Sequence, residues 1–341
     1  MSEGGRRMAE EMAEQPERLA ELIARRGEIA SQVLEALPRP LAGTALVARG
    51  SSDHAATFGA YLLEIATNRP VALVSPSVLT LYRAETDFSG FLVISVSQSG
   101  RTPEIVEVTE RARKKGACTV AFTNDATSPL AEAAQLVVDL GAGQERAVPA
   151  TKTVTAQLAA FALVASALGD IGLTARSLAE LPGQVATVLA DPGPAEAVAE
   201  WLDGADRMVA VARGILYGAA REVALKVEET TALFTAGYSA ADLRHGPIAI
   251  APTGLPVLAL AHPGPVAADV MGLAGELSHR GAKVNLGGPL PGSALPWPVE
   301  APEALAPVLA VVRGQQLALA LARRLGRDPD HPPGLNKVTA T

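Results

Sequence analysis

Short runs of β-branched and aliphatic residues, separated by helical stretches, are the feature that most limits how this chain can fold. In the first half of the chain these runs are Thr44–Ala48, Val71–Ser75, Leu92–Val96, Thr119–Phe122 and Leu136–Leu140. Helical patterns near 54–67, 102–115 and 152–168 lie between or after them. Strands that are apolar throughout are buried on both faces, which is typical of a parallel sheet with helices on each side. The first half is therefore predicted to be a doubly wound α/β domain.

The same alternation returns in the second half, at Met208–Ala212, Val257–Ala261 and Lys283–Leu286. A chain of 341 residues is long enough for two domains. The Pro- and Gly-containing segment from Leu181 to Pro194 is a candidate linker between them. We predict two doubly wound parallel-sheet α/β domains, over 37–180 and 195–327. An N-terminal helical segment over 1–36, broken once at Pro16, and an extended Pro-containing tail over 328–341 complete the predicted organisation.

Charge and composition narrow the possible partners. The formal net charge is −7 and the chain has no long basic run, so nucleic acid is not an expected partner. The single cysteine, Cys118, lies in an apolar run and is predicted to be a buried thiol, which excludes a disulfide framework. No stretch reaches the roughly 18 uninterrupted apolar residues of a membrane helix, and the N-terminus lacks the apolar core of a signal peptide. A cytoplasmic protein without membrane contact is expected.

A polar segment follows the apolar run Leu92–Val96 and precedes a helical pattern, and we call its residues 97–102 the hydroxyl loop. It reads Ser97-Gln98-Ser99-Gly100-Arg101-Thr102, with Pro103 next. Thr102 suits the N-cap and Pro103 the first helical position, so the free amides of the helix start point back at the loop. Hydroxyl and amide side chains together with such amides form a binding site for an anion, most simply a phosphate group. An ordinary capped turn is the alternative, but it does not explain the run of polar residues before Gly100.

A second turn of the same form comes after Thr44–Ala48 and contains Gly50, Ser51 and Ser52. Two such turns could converge on one ligand. Neither contains the glycine-rich signature of a nucleotide-binding loop. A small phosphorylated molecule is therefore the simpler inference.

Three charged residues, Glu222, Lys226 and Glu229, are spaced to share one helix face. Such a face is usually a solvated surface, and this alternative stays open from the spacing alone.

Further motifs extend the pattern over nearly the whole chain, with His245 in a polar turn and Lys337 in the tail. The motifs are Glu11–Gln15–Pro16, Gly50-Ser51-Ser52, Ser97-Gln98-Ser99-Gly100-x-Thr102, Ala150-Thr151-Lys152, Glu222-x-x-x-Lys226-x-x-Glu229, Leu243-x-His245-Gly246-Pro247 and Leu335-x-Lys337. Together they resemble the sugar isomerase (SIS) domain family. The resemblance is to the isomerase half of glucosamine-6-phosphate synthase and to stand-alone relatives that deaminate or isomerise aminosugar phosphates.

The resemblance implies a role for each matching residue. Glu229 would move a proton between C1 and C2 of the sugar, with Lys226 orienting it. His245 would open the sugar ring and would come from the partner in a homodimer, while Lys337 would form or assist a Schiff base with the open-chain carbonyl. Phosphate binding and contacts to sugar hydroxyls would fall to Ser51, Ser52, Ser97, Gln98, Ser99, Thr102 and the backbone groups of Val148 and Asn336. No metal or other cofactor is expected.

The function expected from this resemblance is an aminosugar-phosphate deaminase/isomerase that converts glucosamine 6-phosphate and water to fructose 6-phosphate and ammonia. A glutaminase domain like that of the synthase is not expected, and the protein is therefore not expected to draw ammonia from glutamine. Arg101, Pro149 and Asn336 depart from the usual residues in their motifs. The alternatives are a galactosamine 6-phosphate deaminase/isomerase, a fructosamine 6-phosphate deglycase and, from another class, a non-catalytic phosphosugar-binding regulator.

Overall fold

The computed structural model of the chain describes residues 4–251 and 253–337. Within them the strands form two sheets, of five and of four strands, and every pairing is parallel. The strands are β1 Gly43–Val47, β2 Val71–Leu73, β3 Phe91–Val96, β4 Cys118–Thr123, β5 Leu136–Asp139, β6 Arg207–Ala212, β7 Phe234–Ser239, β8 Pro256–Leu260 and β9 Lys283–Gly287. Each apolar run of the sequence is a strand to within two residues at either end. The predicted pair of parallel α/β sheets is confirmed.

The α-helices alternate with these strands as the sequence pattern predicts. They are α1 Arg6–Ala13, α2 Gln15–Ala24, α3 Arg26–Ala36, α4 Ser51–Thr67, α5 Pro76–Thr80, α6 Pro103–Lys114, α7 Pro129–Ala133, α8 Lys152–Leu168, α9 Ala175–Ala190, α10 Gly193–Trp201, α11 Tyr217–Thr231, α12 Ala240–Arg244, α13 Ala267–His279 and α14 Ala306–Arg324. Short 3-10 helices occur at Gly214–Leu216, Pro247–Ile250 and Glu303–Leu305. The N-terminal helical segment breaks just before Pro16, which lies in the first turn of α2, where its missing N–H has no helical partner to lose.

The two sheets belong to two compact units of the chain. One unit contains residues 17–144 and 152–178 with the sheet order β2-β1-β3-β4-β5. The other contains residues up to 16, 145–151 and 179–337 with the order β7-β6-β8-β9. We call them the five-stranded unit and the four-stranded unit. Central strands such as β3 and β4 are buried over almost their whole length, because helices cover a parallel sheet.

The candidate linker over Leu181–Pro194 is helical over most of its length. Helix α9 continues to Ala190, and Pro182 lies within it. An apolar stripe of this helix is buried, which favours the helix despite the proline: Leu178, Leu181, Val185 and Val188. Only Asp191 and Pro192 separate α9 from α10.

Among the described residues, one segment, Glu303–Arg324, is long and apolar enough to cross a membrane by length and composition. Burial decides its role, because 94% of its most apolar stretch lies inside the fold. It includes α14, which packs against α11 as a core helix of the four-stranded unit.

Candidate active site

Two loops with hydroxyl side chains leave the five-stranded sheet at the carboxyl ends of neighbouring strands. Strands β1 and β3 pair in parallel, with Val47 opposite Ser95. In the sheet order the chain progresses in one direction from β1 and in the other from β3. Ligands of open parallel sheets bind in the crevice at such a reversal. The structure therefore brings the Gly50–Ser52 turn and the hydroxyl loop to the same edge of the sheet.

A salt bridge holds these two loops together. Arg49, two residues after β1, donates from its guanidinium to Oε2 of Glu104 at 2.8 Å. Glu104 lies in the first turn of α6, directly beyond the hydroxyl loop, and its Oε1 accepts a hydrogen bond from Thr80 at 3.3 Å. The Glu104 side chain is only 14% exposed, so this contact is partly shielded from water.

The hydroxyl loop is shaped by hydrogen bonds among its own residues. The N–H of Gly100 donates to Oγ of Ser97 at 3.2 Å, and the N–H of Arg101 donates to Oγ of Ser99 at 3.3 Å. Oγ of Ser97 lies 3.5 Å from Oγ1 of Thr102. Thr102 takes the N-cap position of α6 as predicted, but its hydroxyl lies toward Ser97 instead of capping the helix. Two of the predicted phosphate-binding hydroxyls are thus in contact.

Gly100 lets the hydroxyl loop pack closely on the connection between β4 and α7. Its φ is +62°, and a Cβ at this position would stand 2.0 Å from Oγ of Ser128. Backbone hydrogen bonds complete the contact: the N–H of Asn124 donates to the carbonyl of Gln98 at 3.1 Å, and the N–H of Leu130 donates to that of Gly100 at 3.0 Å.

We expect Gly100→Ala to weaken phosphate binding by about tenfold or more, because both the positive φ and the contact with Ser128 force the loop to move. Calorimetric titration with inorganic phosphate measures the effect. Gly116→Ala is the matched control, since Gly116 also has a positive φ of +85° but meets no atom closer than 3.5 Å. An unchanged phosphate affinity in Gly100→Ala would contradict the assignment of this loop.

Arg101, the departure within the loop motif, is paired to a neighbouring acid. Its guanidinium lies 3.0 Å from Oδ2 of Asp125. Hydrogen bonds from the hydroxyl and N–H of Thr127, with a further one from Arg101, lower the pKa of Asp125. Arg101 thus forms an exposed ion pair at the hydroxyl loop.

The Gly50–Ser52 turn leads into helix α4. Gly50 has a φ of +56°, and Ser51 and Ser52 form the first helical turn after it. Ser51 is half-buried, whereas Ser52 is only 8% exposed and its Oγ accepts a hydrogen bond from Nε2 of Gln157 at 3.0 Å.

In the four-stranded unit, the predicted charged face of α11 is not a solvated surface. The side chains of Glu222 and Lys226 are each 1% exposed, and that of Glu229 is 22% exposed. Nζ of Lys226 lies 3.5 Å from Oε1 of Glu222 and donates a hydrogen bond to Oε2 of Glu229. A buried lysine therefore joins two carboxylates, of which only Glu229 reaches solvent.

The charge state of Lys226 follows from this pairing. Burial opposes its charged form, but the carboxylates of Glu222 and Glu229 outweigh burial and raise the pKa of Lys226. The lysine is a fixed cation at neutral pH. It can therefore hold and orient Glu229.

Lys337 reaches a buried carboxylate of the same unit. Its Nζ donates to Oε2 of Glu145 at 2.7 Å. The Glu145 side chain is fully buried, and its Oε1 accepts the N–H of Thr151 at 2.8 Å. Glu145 also lies close enough to contribute to the raised pKa of Lys226. Glu145 is not among the residues that the sequence motifs predicted.

A further buried acid, Glu11, binds the backbone at the start of the segment 145–151, which contains Glu145. Its carboxylate accepts the N–H groups of Arg146 and Ala147, the latter at 3.2 Å. Burial, with a smaller contribution from neighbouring Glu145, raises the pKa of Glu11 despite these hydrogen bonds. Segment 145–151 is therefore fixed by two carboxylates.

The remaining predicted residues also lie in the four-stranded unit. Val148 is partly buried within segment 145–151, and Asn336 is exposed next to Lys337. His245 is exposed at the end of α12, where its N–H donates to the carbonyl of Asp242 at 3.1 Å. The predicted set thus divides into the hydroxyl residues of the five-stranded unit and the acid, amine and imidazole residues of the four-stranded unit.

Comparison with known proteins identifies the family of the chain. The sequence matches the SIS domain over residues 44–167 and 202–286. The chain belongs to the SIS-domain family. The resemblance inferred from the motifs is confirmed.

Among curated SIS relatives, the glutamine–fructose-6-phosphate aminotransferase (isomerizing) of Gloeobacter violaceus is 34% identical over 310 residues, covering 86% of this chain and 51% of that protein. The enzyme of the same name from Symbiobacterium thermophilum is 31% identical over 355 residues, covering 97% of this chain and 58% of that protein. The chain spans between one half and three fifths of the length of these two relatives.

Solved structures share the fold over nearly the full chain. A protein of Silicibacter pomeroyi with the provisional description phosphosugar isomerase is 33% identical, with a TM-score of 0.80 and coverage of 95% of this chain and 99% of that one. Glucosamine-6-phosphate deaminase of Thermotoga maritima superposes with a TM-score of 0.78 at 22% identity, covering 98% of this chain and 100% of that one. At this identity the second similarity supports the fold alone.

Proposed function

We propose that this SIS protein is an aminosugar-phosphate deaminase/isomerase, which converts glucosamine 6-phosphate and water to fructose 6-phosphate and ammonia. The observation that carries the proposal is the pairing of the partly exposed Glu229 carboxylate with the buried Lys226 cation. A carboxylate held in a fixed position beside a permanent cation is suited to take up and return a proton at one place. A surface helix face could not hold its base in this way.

The reaction is assigned to residues as follows. Ser97, Gln98, Ser99 and Thr102 bind the phosphate, with Ser51 and Ser52, and Val148 and Asn336 hold sugar hydroxyls through their backbone groups. In the ring-opened aminosugar, Glu229 removes the proton from C2 and returns it to C1. The C1 aldehyde becomes an alcohol and the C2 amine becomes an imine. Water then replaces nitrogen at C2, so that ammonia leaves and the ketose remains.

Lys337 serves the last step. Its neutral amine attacks the C2 imine, expels ammonia and forms a Schiff base that water hydrolyses, which regenerates the lysine. Attack requires Nζ to lose a proton first. The buried carboxylate of Glu145, 2.7 Å from Nζ, is positioned to accept that proton and to aim the amine. Glu145 is thereby proposed as a positioning residue for Lys337.

Ring opening is assigned to His245. The exposed position of this imidazole at the end of α12 suits a residue that acts in the site of a second subunit of a homodimer. The names of the relatives support fructose 6-phosphate as the product of the reaction. The cytoplasm is the proposed location of the enzyme.

The test is ammonia release from glucosamine 6-phosphate by the purified protein, coupled to detection of fructose 6-phosphate. We expect both products in equal amounts. Galactosamine 6-phosphate and fructosamine 6-phosphate assayed in parallel distinguish the related activities, since a higher kcat/KM with either would reassign the substrate. Thermal stabilisation by these sugar phosphates without any turnover would instead indicate a phosphosugar-binding regulator.

A further inference from the structure

Gln157 is a buried polar residue of helix α8 that directly precedes the apolar run Leu158–Ala165. The helix packs against α4, and Gln157 is 1% exposed. Its Nε2 donates to Oγ of Ser52 at 3.0 Å. A buried amide is unfavourable in a core unless its hydrogen-bonding groups are satisfied. A glutamine at this position is therefore expected to have a specific role.

The direction of this hydrogen bond matters for phosphate binding. The amide NH₂ of a glutamine is only a donor, so the Ser52 oxygen is the acceptor. The single hydroxyl proton of Ser52 is then available for another acceptor. Ser52 lies in the first turn of α4, where a phosphate oxygen is the acceptor expected at the edge shared with the hydroxyl loop.

The carbonyl oxygen of the Gln157 amide, Oε1, argues against a purely structural role. Within the residues that the structure describes, Oε1 of Gln157 is buried and accepts no hydrogen bond. The buried Gln316, by contrast, is satisfied at both ends: its Oε1 accepts from Arg313 at 2.9 Å, and its Nε2 donates to the carbonyl of Val188 at 3.0 Å. A glutamine selected for stability alone would be satisfied like Gln316, since an unsatisfied buried acceptor destabilises the fold.

We propose that Gln157 is a positioning residue for substrate binding, which acts through Ser52 by directing its hydroxyl proton toward the phosphate of the sugar. The inference rests on the proposed function only in placing a phosphate at this edge of the five-stranded sheet. The role of Gln157 is in binding, separate from the chemistry at C1 and C2.

A double-mutant cycle tests the inference by equilibrium titration with glucosamine 6-phosphate. Gln157→Met keeps the length of the side chain and removes both polar atoms, and Ser52→Ala removes the hydroxyl. We expect each single variant to bind about fivefold to tenfold more weakly, the loss of one hydrogen bond to a charged group. The double variant should bind no more weakly than Ser52→Ala, because Gln157 acts only through Ser52.

A charged isostere gives a second readout that a packing role would not move. In Gln157→Glu the ionised carboxylate accepts the Ser52 proton, whereas the protonated acid can donate like the native amide. Affinity for glucosamine 6-phosphate should therefore fall more steeply with rising pH than in the native protein. Gln316→Met is the control for loss of a buried glutamine, and it should lower stability without changing affinity.

Three results would overturn the inference: unchanged affinity in Gln157→Met, additive losses in the double variant, or a native-like pH profile in Gln157→Glu. All are read from binding, so they are distinct from failure of the proposed function. A protein that binds the sugar phosphate but releases no ammonia leaves the role of Gln157 standing.

Discussion

Glu229→Gln is expected to lower the turnover of glucosamine 6-phosphate by about 10³-fold while leaving its binding within about twofold, because the amide keeps the shape of the side chain but cannot accept a proton. The Glu222 partner of Lys226 is unchanged in this variant, so the buried lysine keeps a carboxylate 3.5 Å from its Nζ. The fall should therefore appear in kcat. Ammonia release gives kcat, and calorimetric titration gives the affinity.

The chain offers a matched control on the same helix. Glu228 precedes Glu229 and is exposed, so Glu228→Gln changes the same charge without touching the buried group. We expect it to retain native turnover. Ser99→Ala combined with Thr102→Ala should show the reverse of Glu229→Gln, with weakened binding and smaller effects on kcat. Loss of binding in Glu229→Gln, or retention of turnover, would remove Glu229 from the role of the base.

The sequence predicted most strands because their burial leaves a local signature. Strands β3 and β4 are covered on both faces, so most of their residues are apolar and the run is visible without any knowledge of the fold. Strand β7 was missed for the opposite reason. In the described part of the chain it is an edge strand that pairs only with β6, and its sequence from Phe234 to Ser239 includes small and polar residues. Gly237 in it permits close approach to α11, where a Cβ would stand 2.5 Å from Cα of Arg221.

The site was predictable in proportion to how local it is. The hydroxyl loop is contiguous and lies between a strand and a helix start, so its residues and position followed from pattern alone. The charged face of α11 was visible as spacing, but burial of Lys226 depends on tertiary packing, which spacing does not encode. Glu145 could not be found, because its contact is with Lys337, which lies 192 residues away. A buried acid is recognisable only after the fold shows which cation faces it.

Lys226→Met is expected to lower the free energy of unfolding by about 3–5 kcal/mol, the largest stability effect we predict. The substitution preserves the volume of the side chain and removes the cation that faces two carboxylates, one of them 1% exposed. Breaking a buried ion pair from one side leaves an uncompensated charge in a medium that solvates it poorly. Chemical denaturation at neutral pH measures the loss, and Lys114→Met, at an exposed lysine with a 3.8 Å ion pair, should change stability by less than about 0.5 kcal/mol.

The pH dependence separates lost charge from lost packing in this variant. The folded-state pKa of Lys226 is raised, so its contribution is fully present below the pKa of an unfolded lysine and is lost as the pH rises through the folded value. The native protein should therefore lose stability at strongly alkaline pH more steeply than Lys226→Met. On acidification the variant should recover part of its deficit, because a protonated carboxyl needs no cation. Adding Glu222→Gln to Lys226→Met should restore part of the stability at neutral pH for the same reason. A deficit that is independent of pH and unaffected by the second substitution would assign Lys226 to packing alone, and Glu229 would then lose the fixed cation on which its proposed role depends.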